Sequence, residues 1–381
     1  MRMPVFSRTK RWLALLGCVL LSSILLSACG DEASTSILNT AGPVAADEKV
    51  LFYVVVVLAA VIFLGVEGWL VYSIFRFRER PNTPTPYQNH GNLFLEALWT
   101  GIPTVVLFIL LFFTIRGLLQ VAPEAQPKDA NTVTVEAVGH QWWWEFYYPK
   151  YNITTADTLV IPAHTTIHVD LFSNNVIHSF WVPNLTGKTD LIPGHDNTKW
   201  FIADKNGTYT GLCAEFCGTQ HGNMRFEVKA VNTDSFQSWI STQQQTAAAP
   251  GNSLAQQGQA IFKNQCSTCH GIVGVDVTQF YNPQQFCNDS LGAGHNYPTT
   301  DVHCLIGPNL THFGSRDLIA GGVLTNNSQA CNPTDPNIMK DCHLAQWLND
   351  PQGIKPGNDM NIGQLTTDQI RQLVAYLEGL K

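Results

Sequence analysis

The chain has 381 residues, a net charge of −7 and only 13% charged residues. The acidic balance excludes a basic nucleic-acid-binding surface. The low charge, where about a quarter is usual, points to membrane spans, and the length to two or three domains.

The first element is a targeting segment. Arg2, Arg8, Lys10 and Arg11 precede an apolar run from Leu13 to Leu26, too short for a comfortable span. Leu26-Ser27-Ala28-Cys29 then resembles a bacterial lipobox, which implies a cleaved signal (1–28) and a lipid anchor at Cys29 on an exported segment (29–46). Cys18 reads as a small apolar residue of the signal. Two long apolar runs follow, Val50 to Phe75 and Leu93 to Leu119. Each exceeds the ~20 residues that cross a bilayer. Arg76, Arg78 and Arg80 between them place that loop in the cytoplasm. The expectation is a transmembrane hairpin over 47–122, with all later residues outside. Glu96 sits at the start of the second run and Glu67 within the first; intramembrane carboxylates are functional candidates.

After Pro123 the pattern changes to short β-branched runs: Thr132 to Val138, Thr165 to Phe172, Thr198 to Ala203, Thr208 to Leu212 and Arg225 to Val231. They predict an all-β sandwich or barrel within 123–240. Asn206-Gly207 predicts a hairpin turn. The run Gly139-His140-Gln141-Trp142-Trp143-Trp144-Glu145-Phe146-Tyr147-Tyr148 is too aromatic for one face of a strand. Neighbouring side chains point to opposite sides, so some rings should be exposed or meet a partner.

Between two of these strands lies Cys213-Ala-Glu-Phe-Cys217-Gly-Thr-Gln-His221-Gly-Asn-Met224. Soft thiolate and thioether donors with imidazole select copper. A mononuclear blue-copper site needs one Cys, so two suggest two coppers bridged by two thiolates. A second His must come from elsewhere, and His178 is the obvious donor. The competing reading is a Cys213–Cys217 disulfide.

Residues 241–253, rich in Gln, Ala and Ser, read as a flexible linker. The last unit, 254–381, opens with an amphipathic pattern from Leu254 to Asn264 and then Cys266-Ser-Thr-Cys269-His270. Cys-x-x-Cys-His is the c-type haem attachment signature. The sixth iron ligand should be Met or His. Met339 and Met360 are the candidates, with Met360 preferred because it follows a polar loop and precedes a terminal helix from Thr366 to Leu380. Cys287, Cys304, Cys331 and Cys342 suggest two disulfides, with sequence neighbours paired. His295, His303 and His312 read as loop residues, with zinc as an alternative.

The copper loop and His178 resemble the binuclear CuA centre of cytochrome c oxidase subunit II. Ile306-Gly-Pro-Asn-Leu310 and the haem signature resemble class I cytochromes c, although Asn361 stands where Pro often follows the axial Met. Together these place the chain beside the caa-type subunit II with a fused cytochrome c. The resemblance implies a multidomain membrane protein: a two-helix hairpin, an all-β cupredoxin-like domain and an all-α cytochrome c domain. It implies CuA held by His178, Cys213, the Glu215 carbonyl, Cys217, His221 and Met224, and haem c held by Cys266, Cys269, His270 and Met360. The Pro308 carbonyl would receive the N–H of His270. Trp142 matches the residue through which electrons reach copper, and the Glu215 carboxylate could help hold Mg²⁺ at the boundary with subunit I. Glu96, in Glu-Ala-Leu-Trp-Thr-Gly-Ile-Pro103, matches a residue at a proton-uptake path. The implied partners are oxidase subunit I, subunit III, membrane lipid and an external donor such as a cytochrome c or a quinol-oxidising complex. The implied function is to pass electrons from haem c through CuA to subunit I for proton-pumping O₂ reduction. Rival readings are the electron-accepting subunit of a CuA-type nitric oxide reductase and a tethered shuttle with no oxidase partner. A quinol oxidase subunit would lack these copper ligands.

Overall fold

The computed structural model describes residues 35–81, 87–88, 91–128, 131–275 and 306–381. The targeting segment, Cys29, Cys287, His295, His303 and Cys304 lie outside them.

Helix α1, Pro43–Arg76, begins seven residues before the apolar run because Pro43 occupies its first turn, where a missing N–H costs nothing. Its start is set into the β-domain. Ala41 N–H donates to the Asn184 carbonyl and Asp204 N–H to the Ala41 carbonyl, both at 2.7 Å. Val44 and Ala45 are buried there. Helix α2, Leu93–Val121, is capped by Asn92, whose side chain accepts from the N–H groups of Phe94 and Leu95. Glu96 returns the cap by accepting the Asn92 N–H at 3.3 Å. Along both helices large apolar side chains such as Val61, Leu64, Phe75, Phe108 and Phe112 stand exposed. An apolar surface of that extent belongs in lipid. Trp200 Nε1 donates to the Ala122 carbonyl at 2.9 Å, which holds the hairpin's second end against the β-domain.

The β-domain is a sandwich of two five-stranded sheets. Its strands are β1 (Val133–His140), β2 (Trp143–Tyr148), β3 (Ile153–Ala156), β4 (Thr158–Pro162), β5 (Ile167–Ser173), β6 (His178–Val182), β7 (Thr186–Leu191), β8 (Asn197–Phe201), β9 (Gly207–Cys213) and β10 (Arg225–Val231). One sheet runs β3-β2-β1-β5-β8 and the other β4-β10-β9-β6-β7. Asn206-Gly207 makes no hairpin: β8 pairs with β5 and β9 with β10 and β6, so the chain there passes from one sheet to the other.

The aromatic run forms β2, and alternation sends Trp144, Phe146 and Tyr148 into the core. The opposite face is covered as well, contrary to the sequence expectation. Trp143 stacks on His140 with centroids 4.1 Å apart, and His140 in turn meets Glu145 at 3.2 Å. The covering groups therefore come from the chain itself.

The linker is shorter than the sequence suggests, because α3 (Thr233–Gln243) extends into it, capped by Asn232. The remainder is pinned: Ala247 N–H donates to the Val273 carbonyl at 3.0 Å. The C-terminal region packs α4 (Ser253–Ile261) against α7 (Thr367–Leu377) around a second core. Gly258 permits that approach, since a Cβ there would strike the Gln372 carbonyl. Helix α7 carries a full capping box, Thr366 with Gln369. Helices α5 (His343–Asn349) and α6 (Pro351–Ile354) and a small hairpin, β11 (Leu318–Ile319) with β12 (Leu324–Thr325), complete the region. Cys331 and Cys342 are disulfide-bonded.

Candidate metal centres

Three strand ends of the second sheet converge on one spot. β6 begins at His178, β9 ends at Cys213 and β10 begins beside Met224. The ladder fixes their register, with Phe180 opposite Cys213 and Leu212 opposite Arg225. Cys213 N–H donates to the Met224 carbonyl at 3.1 Å, and Ala214 N–H to the Ser179 carbonyl at 2.9 Å.

The sulfurs of Cys213 and Cys217 lie 3.7 Å apart. A disulfide needs about 2.05 Å, so both thiols are free. His178 Nδ1 is 3.8 Å from the Cys213 sulfur and His221 Nδ1 is 3.7 Å from that of Cys217. Met224 Sδ is 3.8 Å from Cys217, and the Glu215 carbonyl is 3.3 Å from Cys213. Every group predicted for copper is thus within one cluster. Among the described residues, His178, Cys213 and Cys217 are the only group of three such side chains close enough to share an ion.

The electrostatics fit a metal. The Cys213 thiol is pushed well below its ordinary value, chiefly by its hydrogen bond with the Cys217 sulfur, with His178 adding to the effect. Cys217 is pushed up by the same hydrogen bond and by burial. Asn175 Oδ1 lies 3.0 Å from His178 Nε2, which makes Nε2 the protonated nitrogen and turns the Nδ1 lone pair toward Cys213. Gln141 Nε2 and Trp142 Nε1 both donate to the Cys217 carbonyl, at 2.7 and 2.9 Å, so Trp142 is hydrogen-bonded to the copper loop itself. The Glu215 carboxylate is turned outward and accepts the Phe216 N–H at 3.2 Å, and the Phe216 ring is 75% exposed.

The haem signature follows α4 on a tight turn, with Cys266 and Cys269 free. His270 Nδ1 lies 2.8 Å from the Pro308 carbonyl, as expected, and burial pushes its pKa down, which keeps the imidazole neutral for a metal. Gly307 leaves no room beside that ring: a Cβ would sit 2.6 Å from His270 Cε1. Burial also raises Cys266, to about 11, so its sulfur is held as a thiol rather than a free thiolate. Met360 and Met339 are both half-buried against the second core. The loop of Met360 lies near enough to the signature that, after burial, the Asp359 charge also raises Cys269. Buried His312 turns Nε2 to the Gln243 carbonyl at 3.3 Å and joins no cluster with described His or Cys.

Gln141, Asn175 and Gly139 were not singled out by sequence. Their signal is adjacency, since each lies within three residues of Trp142 or His178.

These features define a membrane-anchored carrier of electrons, with a thiolate copper cluster on a cupredoxin-like sandwich and a covalent haem on a helical unit. Comparison with known proteins gives the family. Residues 32–116 match "Cytochrome C oxidase subunit II, transmembrane domain", 152–231 match "Cytochrome C oxidase subunit II, periplasmic domain" and 255–381 match "Cytochrome c". The chain is similar to cytochrome c oxidase subunit 2 of Alkalihalophilus pseudofirmus, 31% identical with 94% of each chain covered. It is also similar to that of Bacillus subtilis, 31% identical with 98% of each covered. The periplasmic domain of subunit II of the Bradyrhizobium japonicum oxidase is 32% identical, covering 31% of this chain and 95% of that one, with a TM-score of 0.29. The chain belongs to the cytochrome c oxidase subunit II family, in the caa-type form that carries cytochrome c at its C-terminus. It is accordingly a copper- and haem c-bearing membrane subunit whose partner is oxidase subunit I.

Proposed function

We propose that this chain receives electrons at its haem c domain and delivers them through a binuclear CuA centre to subunit I, where O₂ is reduced and protons are pumped. Bound haem c and the copper pair each supply a one-electron carrier. The residues do the rest. Cys266 and Cys269 tether the porphyrin, and His270, oriented by the Pro308 carbonyl, and Met360 hold the iron. Cys213 and Cys217, with His178, His221, Met224 and the Glu215 carbonyl, would hold the copper pair. Trp142 lies between the carriers, hydrogen-bonded to the Cys217 carbonyl. The outward Glu215 carboxylate is available to Mg²⁺ on the subunit I side, since hard oxygen donors suit that ion. Glu96 serves proton uptake at the membrane surface in addition to capping α2. Subunit III and an external cytochrome c or quinol-oxidising complex complete the partners, and lipidation at Cys29 adds an anchor.

The observation that carries this reading is the pair of unjoined sulfurs at 3.7 Å, ringed by two imidazoles and a thioether. The test is Cys217→Ser in the purified oxidase. Copper and its mixed-valence paramagnetic signal should be lost, and covalent haem should stay reduced under oxygen. Unchanged turnover with that variant would refute the reading.

A further inference from the structure

The haem-bearing region is seated on the copper domain, and the contact has a built centre. The turn joining β11 to β12, Ala320-Gly321-Gly322, has three consecutive positive φ angles, 58°, 68° and 77°. It presses on the start of β10: the Gly321 carbonyl accepts the Arg225 N–H at 2.9 Å, and a Cβ on Gly322 would lie 2.9 Å from that of Arg225. Lys355, 3% exposed by residue, reaches into this seam. Its Nζ donates to the carbonyls of Trp142 at 2.6 Å, Asn223 at 3.0 Å and Ala320 at 2.7 Å. Three carbonyls satisfy all three N–H groups of an ammonium, and two of them belong to the copper domain.

The surroundings match. Asp157 of the copper domain is buried, accepts the Trp144 N–H at 2.9 Å, and its charge favours both Lys355 and Arg316 of the haem region. Lys229 on β10 pairs with Asp317 across the rim. Gln220 of the copper loop donates to the Pro356 carbonyl at 2.8 Å. A Cβ on Gly357 would touch Thr219 Oγ1 at 3.4 Å and the Trp142 ring at 3.7 Å. The loop leading to Met360 thus lies on Trp142, which is left 9% exposed.

We propose that Lys355 is a positioning residue that clasps the haem domain onto Trp142, closing this face to soluble donors and setting a cation on the copper loop, at the Asn223 carbonyl next to Met224. The inference rests on the two-metal reading above. A fixed cation favours the more negative, reduced form of a centre next to it. The step it assists moves one electron: the haem iron goes from ferrous to ferric and the copper pair gains that electron, with no bond or proton exchanged. A clasp differs from a tether, which raises local concentration without fixing a pose.

The test uses the purified oxidase with Lys355→Met, which keeps length and removes charge and donors. Haem and copper bands should persist. The haem-to-copper equilibrium should shift toward reduced haem roughly tenfold, about 59 mV for a one-electron couple. Elastase, which cuts at Ala247 to Ala249, should cleave the linker roughly tenfold faster, as expected when a buried, charged hydrogen-bond donor is lost. A metal-loaded variant with native potential and native cleavage rate overturns the proposal. If the variant does not load its metals, the wild-type oxidase decides. Carbodiimide should couple Lys229 to Asp317, and the coupled enzyme should keep its native haem-to-copper rate. No coupled peptide, or a lost rate in coupled enzyme, overturns it. A wild-type enzyme without the copper signal would refute the two-metal reading instead, while the elastase comparison would still judge the clasp.

Discussion

Gly139→Ala probes how tightly the sandwich holds His178. Gly139 is the penultimate residue of β1 in the opposite sheet, paired to Trp144 on one side and Ser173 on the other. A Cβ there would lie 2.7 Å from His178 Cδ2 and 2.9 Å from Cγ. Carbon atoms rest at about 3.5 Å or more, so the ring must retreat by about 0.8 Å. The strand cannot give easily, since it is hydrogen-bonded on both edges. The ring is fully buried, with its Nε2 held by Asn175. A retreat of that size exceeds the roughly 0.2 Å tolerated in a metal–ligand distance. Copper affinity should fall about 10- to 100-fold, with about 1–3 kcal/mol lost to overpacking. Copper per chain, measured after dialysis against graded chelator, reads the affinity, and circular dichroism checks the sandwich. Native copper retention by a folded variant would refute the reasoning.

The other predictions concern the haem domain and the seam. Gly307→Ala should displace the His270 ring while Cys266 and Cys269 still attach haem, giving a covalent but altered, high-spin optical spectrum; a native spectrum counts against the close contact. Met360→Ala should abolish the sulfur-to-iron band in the oxidised haem, and Met339→Ala should leave it; the reverse result reassigns the ligand. Asp157 is raised by burial from 3.8 to about 6, against the pull of the Trp144 N–H and of Lys355 and Arg316. The folded state therefore binds its proton more tightly than the unfolded chain. Its effect on stability is most favourable below about pH 3.8 and worsens as pH rises through about 6. Between pH 5 and 8 the wild type should lose on the order of 1 kcal/mol relative to Asp157→Asn, read from urea unfolding at each pH. Parallel pH profiles would count against the raised carboxyl.

The copper cluster was legible because Cys213, Cys217, His221 and Met224 fall in one loop, where spacing alone fixes proximity. His178 was reachable because the chemistry required a second imidazole. The haem signature is similarly local. The strands β2, β3, β4, β6 and β7 were not predicted. Aromatic density in β2 obscured its alternation, and β6 and β7 are short and interrupted by Pro183 and Gly187. Asn206-Gly207 carries turn chemistry, but which sheet the next strand joins is decided by the sandwich as a whole. Nothing local marks Lys355, whose three acceptors come from residues 142, 223 and 320.

The attachment of the hairpin to the sandwich has a mechanical consequence. The chain is gripped just before it enters the bilayer, at Ala41, and again just after it leaves, at Ala122. Lys199 of β8, bonded to the Gly187 carbonyl of β7, adds a charge attraction to Glu48 of α1. A body held at both ends of its mast is restrained from swivelling and nodding. Those fastenings limit how far the sulfurs can move relative to the two membrane helices, and with it the variation in the gap an electron must cross on its way down.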